Sequence, residues 1–346
     1  MTDYNALVGL GWRPFFQQQL TLEEMTDLVP ARVVEQHKSV VTVASGNSFH
    51  NIDLQHTMPN MVVGDWILLD AQNRFSRLLD RNTCFKRKAA GDKVDWQLIS
   101  ANVDTAFILS SINDDFNLNR IERYLALVHD AGAEPVVILS KSDLADDPEE
   151  FISQVQNLDR HLSVEAINCL EPRSVEKLDF WIREGETIVV LGSSGVGKST
   201  LINSLLGKDM QATGGIREDD AKGRHTTTRR SLIQLPKAGL VLDTPGMREI
   251  QLADCKEGIS STFADIEELA EKCRYSDCHH QSEPGCAVNQ AVENGDLDER
   301  RLHNYLKLLK EESLNSASLS EKRAKDRALG KFYKRTLDES HKLKGR

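Results

Sequence analysis

The sequence predicts a multidomain chain: a small all-β barrel, then an α/β unit with a mostly parallel sheet, then an α-helical end stapled by a metal. Three observations carry that prediction. Residues 31–80 alternate short apolar runs with turn residues, residues from about 104 to 250 alternate apolar strand runs with amphipathic stretches, and the region after 250 is helical and cysteine-bearing. At 346 residues with 40% hydrophobic content, the chain is longer than one core usually organises, so two or three domains are expected.

Composition narrows the class. The opening MTDYNALVGLGWRPFF has no basic segment followed by a long apolar run, and no stretch approaches the roughly 18 apolar residues of a membrane span, so a cytoplasmic protein with no membrane association is expected. A formal net charge of −10 argues against uniform coating of a nucleic acid but leaves room for local basic patches.

The barrel is read from ArgValValGlu at 32–35, SerValValThrVal at 39–43 and AspTrpIleLeuLeu at 65–69. Trp66 reads as core filler rather than a base-stacking platform. The barrel's exit is basic: Arg74, Arg77, Arg81, Lys86, Arg87, Lys88 and Lys93 stand against Asp80 and Asp92, a candidate RNA patch. The α/β unit follows, with strand runs at 105–110, 135–140, 187–191 and 239–243. At the far end, residues 321–346 carry ten Lys or Arg against four Asp or Glu, which fits either a frayed solvated helix or an RNA-facing arm. Arg300, Arg301, His303 and Lys307 form a second candidate basic face.

Gly192-Ser193-Ser194-Gly195-Val196-Gly197-Lys198-Ser199 matches GxxxxGK[ST], directly after an apolar strand and before the helix-like run that opens at Thr200. Its glycines let backbone N–H groups turn toward phosphate oxygens, and the helix N-terminus adds positive potential. Lys198 reaches the β and γ phosphates and Ser199 ligates Mg²⁺. Asp243-Thr244-Pro245-Gly246 closes another apolar strand: Asp243 can hold the Mg²⁺ shell and Gly246 can offer its N–H to the γ-phosphate. Between them lies GlyArgHisThrThrThrArgArg (223–230), which offers a threonine to the metal. Thr227 and Thr228 both suit that role; Thr228 is assigned to the metal and Thr227 to the nucleotide.

Ser140-Lys141-Ser142-Asp143 follows a third buried strand and resembles the NKxD guanine motif of GTPases. A carboxylate at Asp143 accepts from guanine N1–H and the N2 amino group, donors that adenine lacks there, so GTP is favoured over ATP. Ser140 stands where that motif has Asn, which predicts a looser tie to the phosphate loop and weaker guanine binding.

Cys273-x4-Cys278-x-His280-x5-Cys286 supplies three thiolates and an imidazole, a closed tetrahedral set that suits structural Zn²⁺. His279 is the competing imidazole.

In an ordinary GTPase the phosphate loop comes first and the guanine motif last; here Asp143 precedes Gly192, and Asp243 follows both. This permuted order, with LeuGlySerSerGlyValGlyLysSerThrLeuIleAsn, GlyArgHisThrThrThr and AspThrProGlyMetArgGlu, closely resembles the ribosome small-subunit-dependent GTPase A family over roughly residues 30–335. The resemblance implies an N-terminal extension (1–30), an OB-fold RNA-binding barrel (31–95), a circularly permuted P-loop GTPase domain (100–252) and a zinc-binding helical domain with a basic tail (253–346). It places the zinc imidazole at His280. It also implies GTP hydrolysis stimulated by the small ribosomal subunit and its rRNA late in maturation, by a protein with no motif requiring more than a monomer.

Met247 stands where many GTPases carry a water-orienting Gln, so slow intrinsic hydrolysis is expected. His225 is the candidate to orient water once its loop is ordered; a structural or RNA-contacting role competes with that reading. The alternative function is a nucleotide-sensing RNA-binding module with negligible hydrolysis.

Overall fold

The computed structural model describes residues 4–88, 96–207, 230–237, 239–243 and 255–316. Three short helices open the chain: α1 (Tyr4–Gly9), α2 (Pro14–Gln17) and α3 (Leu22–Asp27). The last is fixed by a capping box, with Thr21 and Glu24 satisfying each other's backbone N–H. Leu7, Trp12, Phe16 and Leu20 pack on Trp66, Leu68 and Leu79, so Trp66 is core, 1% exposed and edge-on to Trp12.

Five strands follow: β1 (Val29–Gln36), β2 (Val40–Ser45), β3 (Ser48–Asp53), β4 (Trp66–Leu69) and β5 (Phe75–Leu78). Every pairing among them is antiparallel, with β2 along one edge of β1 and β4 along the other. Their inward residues, among them Val33, Val43, Ile52, Ile67 and Leu69, make a core of their own with Met61 of the connection between β3 and β4. A separate ribbon, β6 (Cys84–Lys88) with β7 (Trp96–Ala101), comes next.

The α/β unit consists of β8 (Thr105–Ser111), α4 (Leu118–Ala131), β9 (Glu134–Ser140), α5 (Pro148–Gln156), β10 (Ser163–Ile167), α6 (Pro172–Val175), β11 (Thr187–Gly192), α7 (Lys198–Leu206), β12 (Arg230–Gln234) and β13 (Leu240–Asp243). The sheet order is β10-β9-β8-β11-β13-β12, parallel except for β12. The sheet then continues into the β1–β5 strands, because β12 pairs with β1 at Glu35↔Ser231 and Gln36↔Arg230. Arg230 fastens the joint by donating to the Leu98 and Ile99 carbonyls.

After β8 the chain crosses by α4 to β9; after β11 it enters α7, which packs on the opposite sheet face. Helices leaving adjacent strands toward opposite faces open a crevice at the strands' carboxyl ends, where ligands of doubly wound sheets bind.

The C-terminal helices are α8 (Lys256–Thr262), α9 (Ala264–Ala270), α10 (Ala287–Asn294) and α11 (Glu299–Ser316). They share one apolar core with α4 and the sheet face beneath it. Gly258 lets α8 lie against α4: a Cβ there would fall 2.0 Å from the Ala126 carbonyl oxygen. Polar contacts add to this. Glu122 of α4, fully buried, accepts from Arg300, Arg301 and Asn304 of α11, and Arg123 forms a two-point pair with Glu311.

That network corrects the reading of Arg300 and Arg301 as an RNA face. Arg301 is 5% exposed and also grips Asp265; both guanidinia point into the protein. The basic patch expected between Arg74 and Lys93 is likewise partly spent: Arg74 pairs with Asp70, Arg77 with Glu24, Arg81 with the buried Asp65, and Lys86 with Asp130 at 3.9 Å. Counting charges along the chain missed acids brought in by the fold. Lys93 and the tail beyond residue 316 lie outside the described residues.

Candidate functional site

The six residues of β11 are buried, and the loop that follows turns on Gly192, Gly195 and Gly197, all at positive φ. A Cβ on Gly192 would stand 2.5 Å from the Leu109 carbonyl oxygen, so only glycine lets the loop leave the sheet beside β8. Lys198 opens α7 and folds back over its own loop, donating to the Gly192 carbonyl at 2.8 Å and to the Ser193 carbonyl. That tucks the ammonium into the loop that follows β11. Ser199 and Thr200 follow in the first turn of α7, both partly exposed.

The loop is pinned from two sides. Ser193 Oγ donates to Asp115 Oδ2 at 3.1 Å and accepts from Arg120 Nη1 at 3.0 Å. On the other flank Ser140 Oγ donates to the Val196 carbonyl at 2.6 Å. Serine at this position thus ties the base loop to the phosphate loop directly. The shorter side chain reaches because Ser140, wholly buried at the end of β9, lies directly beneath the loop. Replacing Ser140 by alanine strands the Val196 carbonyl, and GDP affinity in a fluorescent-nucleotide titration is expected to fall about tenfold.

Beyond Ser140, Lys141 adopts left-handed backbone (φ 59°) and starts the single turn Ser142–Leu144, which presents Asp143 outward. Facing it is the loop after β10. Asn168 Oδ1 accepts from Leu170 N, and Ser204 of α7 donates to the Cys169 carbonyl at 2.6 Å. Together these loops enclose a cleft of about 260 Å³ lined by Lys141, Asp143, Asn168, Cys169, Gly197 and Thr200 among others. Burial, with the Asp143 charge nearby, pushes the Cys169 thiol up to about 11, so it lines the cleft as a neutral group. Asp115, Arg120 and Ser204 belong to no motif and were not singled out from sequence.

Asp243 ends β13, whose residues 240–242 run in parallel register with 187–189 of β11, so it stands at the same carboxyl end of the sheet from which the phosphate loop leaves. A hydroxyl at Ser199 and a carboxylate at Asp243 are hard oxygen donors of the kind Mg²⁺ takes. His225, Thr227, Thr228, Gly246 and Met247 lie outside the described residues.

The second centre lies between α9 and α10. The ligand atoms of Cys273, Cys278, His280 and Cys286 all fall within 4.8 Å of one another. Cys273 Sγ is 3.9 Å from Cys286 Sγ and 3.7 Å from His280 Nδ1, which is 3.4 Å from Cys286 Sγ. A tetrahedral zinc site with ordinary bond lengths requires edges of about 3.8 Å between sulfurs and about 3.5 Å from sulfur to nitrogen. The four donors therefore fit zinc. His280 turns inward on a left-handed backbone (φ 57°), whereas His279 is exposed. Burial holds the His280 imidazole below the ordinary histidine range, favouring the neutral ring a metal needs. Glu283 braces the ligand loop by accepting from the backbone of His279, Gln281 and Ser282.

Residues 78–253 match the family model described as RsgA GTPase. A relative from Vibrio parahaemolyticus, "Small ribosomal subunit biogenesis GTPase RsgA 2", is 55% identical over 98% of this chain and 94% of its own length. The chain belongs to the RsgA GTPase family. A more distant member, from Mesorhizobium japonicum and named "Small ribosomal subunit biogenesis GTPase RsgA", is 44% identical over 90% of this chain and 91% of its own. Among solved structures, YjeQ from Thermotoga maritima superposes with a TM-score of 0.62 at 23% identity, covering 82% of this chain and 98% of that one. YloQ, described as a circularly permuted GTPase, gives 0.62 at 22%, covering 82% and 94%. These two show the fold, and the strand order above is that of a permuted GTPase sheet.

Proposed function

We propose that this chain is a GTP hydrolase of small ribosomal subunit biogenesis, whose turnover the subunit itself raises. The observation that carries the reading is the cleft in which Asp143 faces the phosphate loop, the two halves joined by Ser140 and Ser204. The names of the relatives supply the subunit.

In this reading guanine enters between the Lys141–Leu144 turn and the Asn168–Leu170 loop, with the Asp143 carboxylate accepting from N1–H and the N2 amino group. Backbone N–H groups from Ser193 to Ser199 surround the phosphates, and Lys198 neutralises charge that builds between the β and γ groups. Mg²⁺, when bound with the nucleotide through Ser199, Asp243 and Thr228, supplies further charge neutralisation. Thr227 and the N–H of Gly246 contact the γ-phosphate, and His225 orients the water. The β1–β5 region serves as an OB-fold barrel within 31–95 that binds rRNA; its β1, paired with both β2 and β4, suits that fold. The zinc unit (253–346) follows the GTPase domain (100–252), and the protein acts as a cytoplasmic monomer. Among the described residues no helix is long and apolar enough to cross a membrane.

Phosphate release from GTP, measured alone, with small subunits and with large subunits as control, tests the reading. Stimulation by small subunits only is expected. Binding without stimulated release would instead favour a nucleotide-sensing RNA-binding module. The base assignment has its own test. Asp143→Asn turns one acceptor into a donor, so GTP affinity is expected to fall about a hundredfold while xanthosine triphosphate gains. Unchanged GTP affinity would remove Asp143 from base recognition.

A further inference from the structure

Ser193 faces two ways. Its carbonyl oxygen accepts from Lys198 Nζ, while its hydroxyl closes a triangle with Asp115 and Arg120: 3.1 Å to the carboxylate, 3.0 Å to the guanidinium, and 2.7 Å between those two. The residue that aims the lysine is thus the one the pair holds. We infer that Asp115 and Arg120 are positioning residues for GTP hydrolysis, acting on Lys198 through Ser193.

The pair is itself built in. Ser111 Oγ donates to Asn113 Oδ1, which also accepts from Asp115 N; Asn117 caps α4 by accepting from Arg120 N. These bonds fix the turn from β8 into α4 and set both side chains beside the phosphate loop. Arg120 holds the Asp115 carboxyl below the usual carboxylate range, so the triangle keeps its charged form at neutral pH. With its charge met by Asp115, Arg120 is placed to orient the loop rather than to bind phosphate.

Two turns of α4 carry the contact further. Asn119, Glu122 and Arg123, flanking Arg120 on the same turns, are bonded to Arg300, Arg301, Asn304 and Glu311 of α11. The turns of α4 that carry Arg120 are in this way tied to α11. The geometry of Lys198 is thereby set partly from the far side of the molecule, by a route that bypasses the segment following Asp243.

The inference rests on the hydrolase reading, and its test separates the two. Subunit-stimulated turnover and fluorescent-GDP affinity are measured for wild type, Ser193→Ala, Arg120→Met and the double variant. Each single change is expected to lower kcat about tenfold with KM for GTP and GDP affinity within about threefold, and the double variant should be no worse than either. Retained GDP affinity reports an intact fold. Wild-type kcat in the single variants, losses that multiply in the double, or losses appearing in KM alone would each overturn the inference and leave the hydrolase reading standing. No turnover by the wild type would end both.

Discussion

Glu122→Ala is expected to cost about 3–5 kcal/mol of stability, as large an effect as any single substitution on the α4–α11 contact should have. Glu122 is wholly buried, and its two oxygens accept from Arg300, Arg301 and Asn304 at 2.5–3.1 Å. Truncation leaves the Arg301 guanidinium, 6% exposed, with Asp265 as its remaining acid, and opens a cavity besides. A buried ion pair as such is weak evidence of stability, because desolvation offsets most of the attraction; the loss comes from stranding the partners. Glu122→Gln keeps the shape and one acceptor, so it should cost clearly less. Arg123→Ala removes a pair whose members are each 29% exposed, and a loss under about 1 kcal/mol is expected there. Urea denaturation of the three variants measures this order. If Glu122→Ala and Arg123→Ala lower the midpoint equally, the buried cluster does not clamp α4 to α11.

Some of this was legible in sequence, and some was not. The phosphate loop declares itself because glycines, lysine and serine must be contiguous to do their work. The strand ends that carry Asp143 and Asp243 were legible because buried parallel strands read as unbroken apolar runs. The four residues of the Cys₃His cluster crowd into one segment, which made them visible, although a choice between neighbouring His279 and His280 needs the backbone turn at φ 57°. What escaped notice depends on contacts between distant residues. Ser193 with Asp115 and Arg120, Glu122 with α11, and Asp65 with Arg81 join segments whose separation carries no periodicity. A lone arginine on a helix reads as surface until its partner is known. For the same reason Arg300 and Arg301 looked like an RNA face. The bond from Ser140 to the Val196 carbonyl depends on how deep the backbone of Ser140 lies, which residue identity does not convey. The β12–β1 joint, which makes the β1–β5 strands continuous with the parallel sheet, involves two residue pairs and has no sequence signal at all.

Removing the metal should have the other large effect. Between Cys273 and Cys286 lie short turns with little apolar content, and α10 is only 8 residues long. A helix of that length is not stable by itself in water. Its N-terminus is capped by one of the four candidate ligands, with Cys286 Sγ accepting from Asn289 N at 3.4 Å, so a bound metal and the helix start would share one atom. Structural zinc contributes about 10–16 kcal/mol in isolated finger peptides. Here α10 also packs through Val288 and Ala291 on the common core, so partial rather than complete unfolding follows from metal loss. A strong chelator is expected to release one zinc per chain, expose three thiols to a colorimetric reagent, and speed amide exchange across 273–297 by at least about a hundredfold. Cys286→Ser, which swaps a soft ligand for a poor one and weakens the cap, should reproduce these changes without chelator. GDP affinity should stay within about threefold in both cases, because the cleft is walled by the loops after β9, β10 and β11 and contains no residue of the zinc unit. Unchanged exchange after metal loss would mean that packing on α9 and α11 alone holds the segment, and that the four ligands serve some purpose other than a staple.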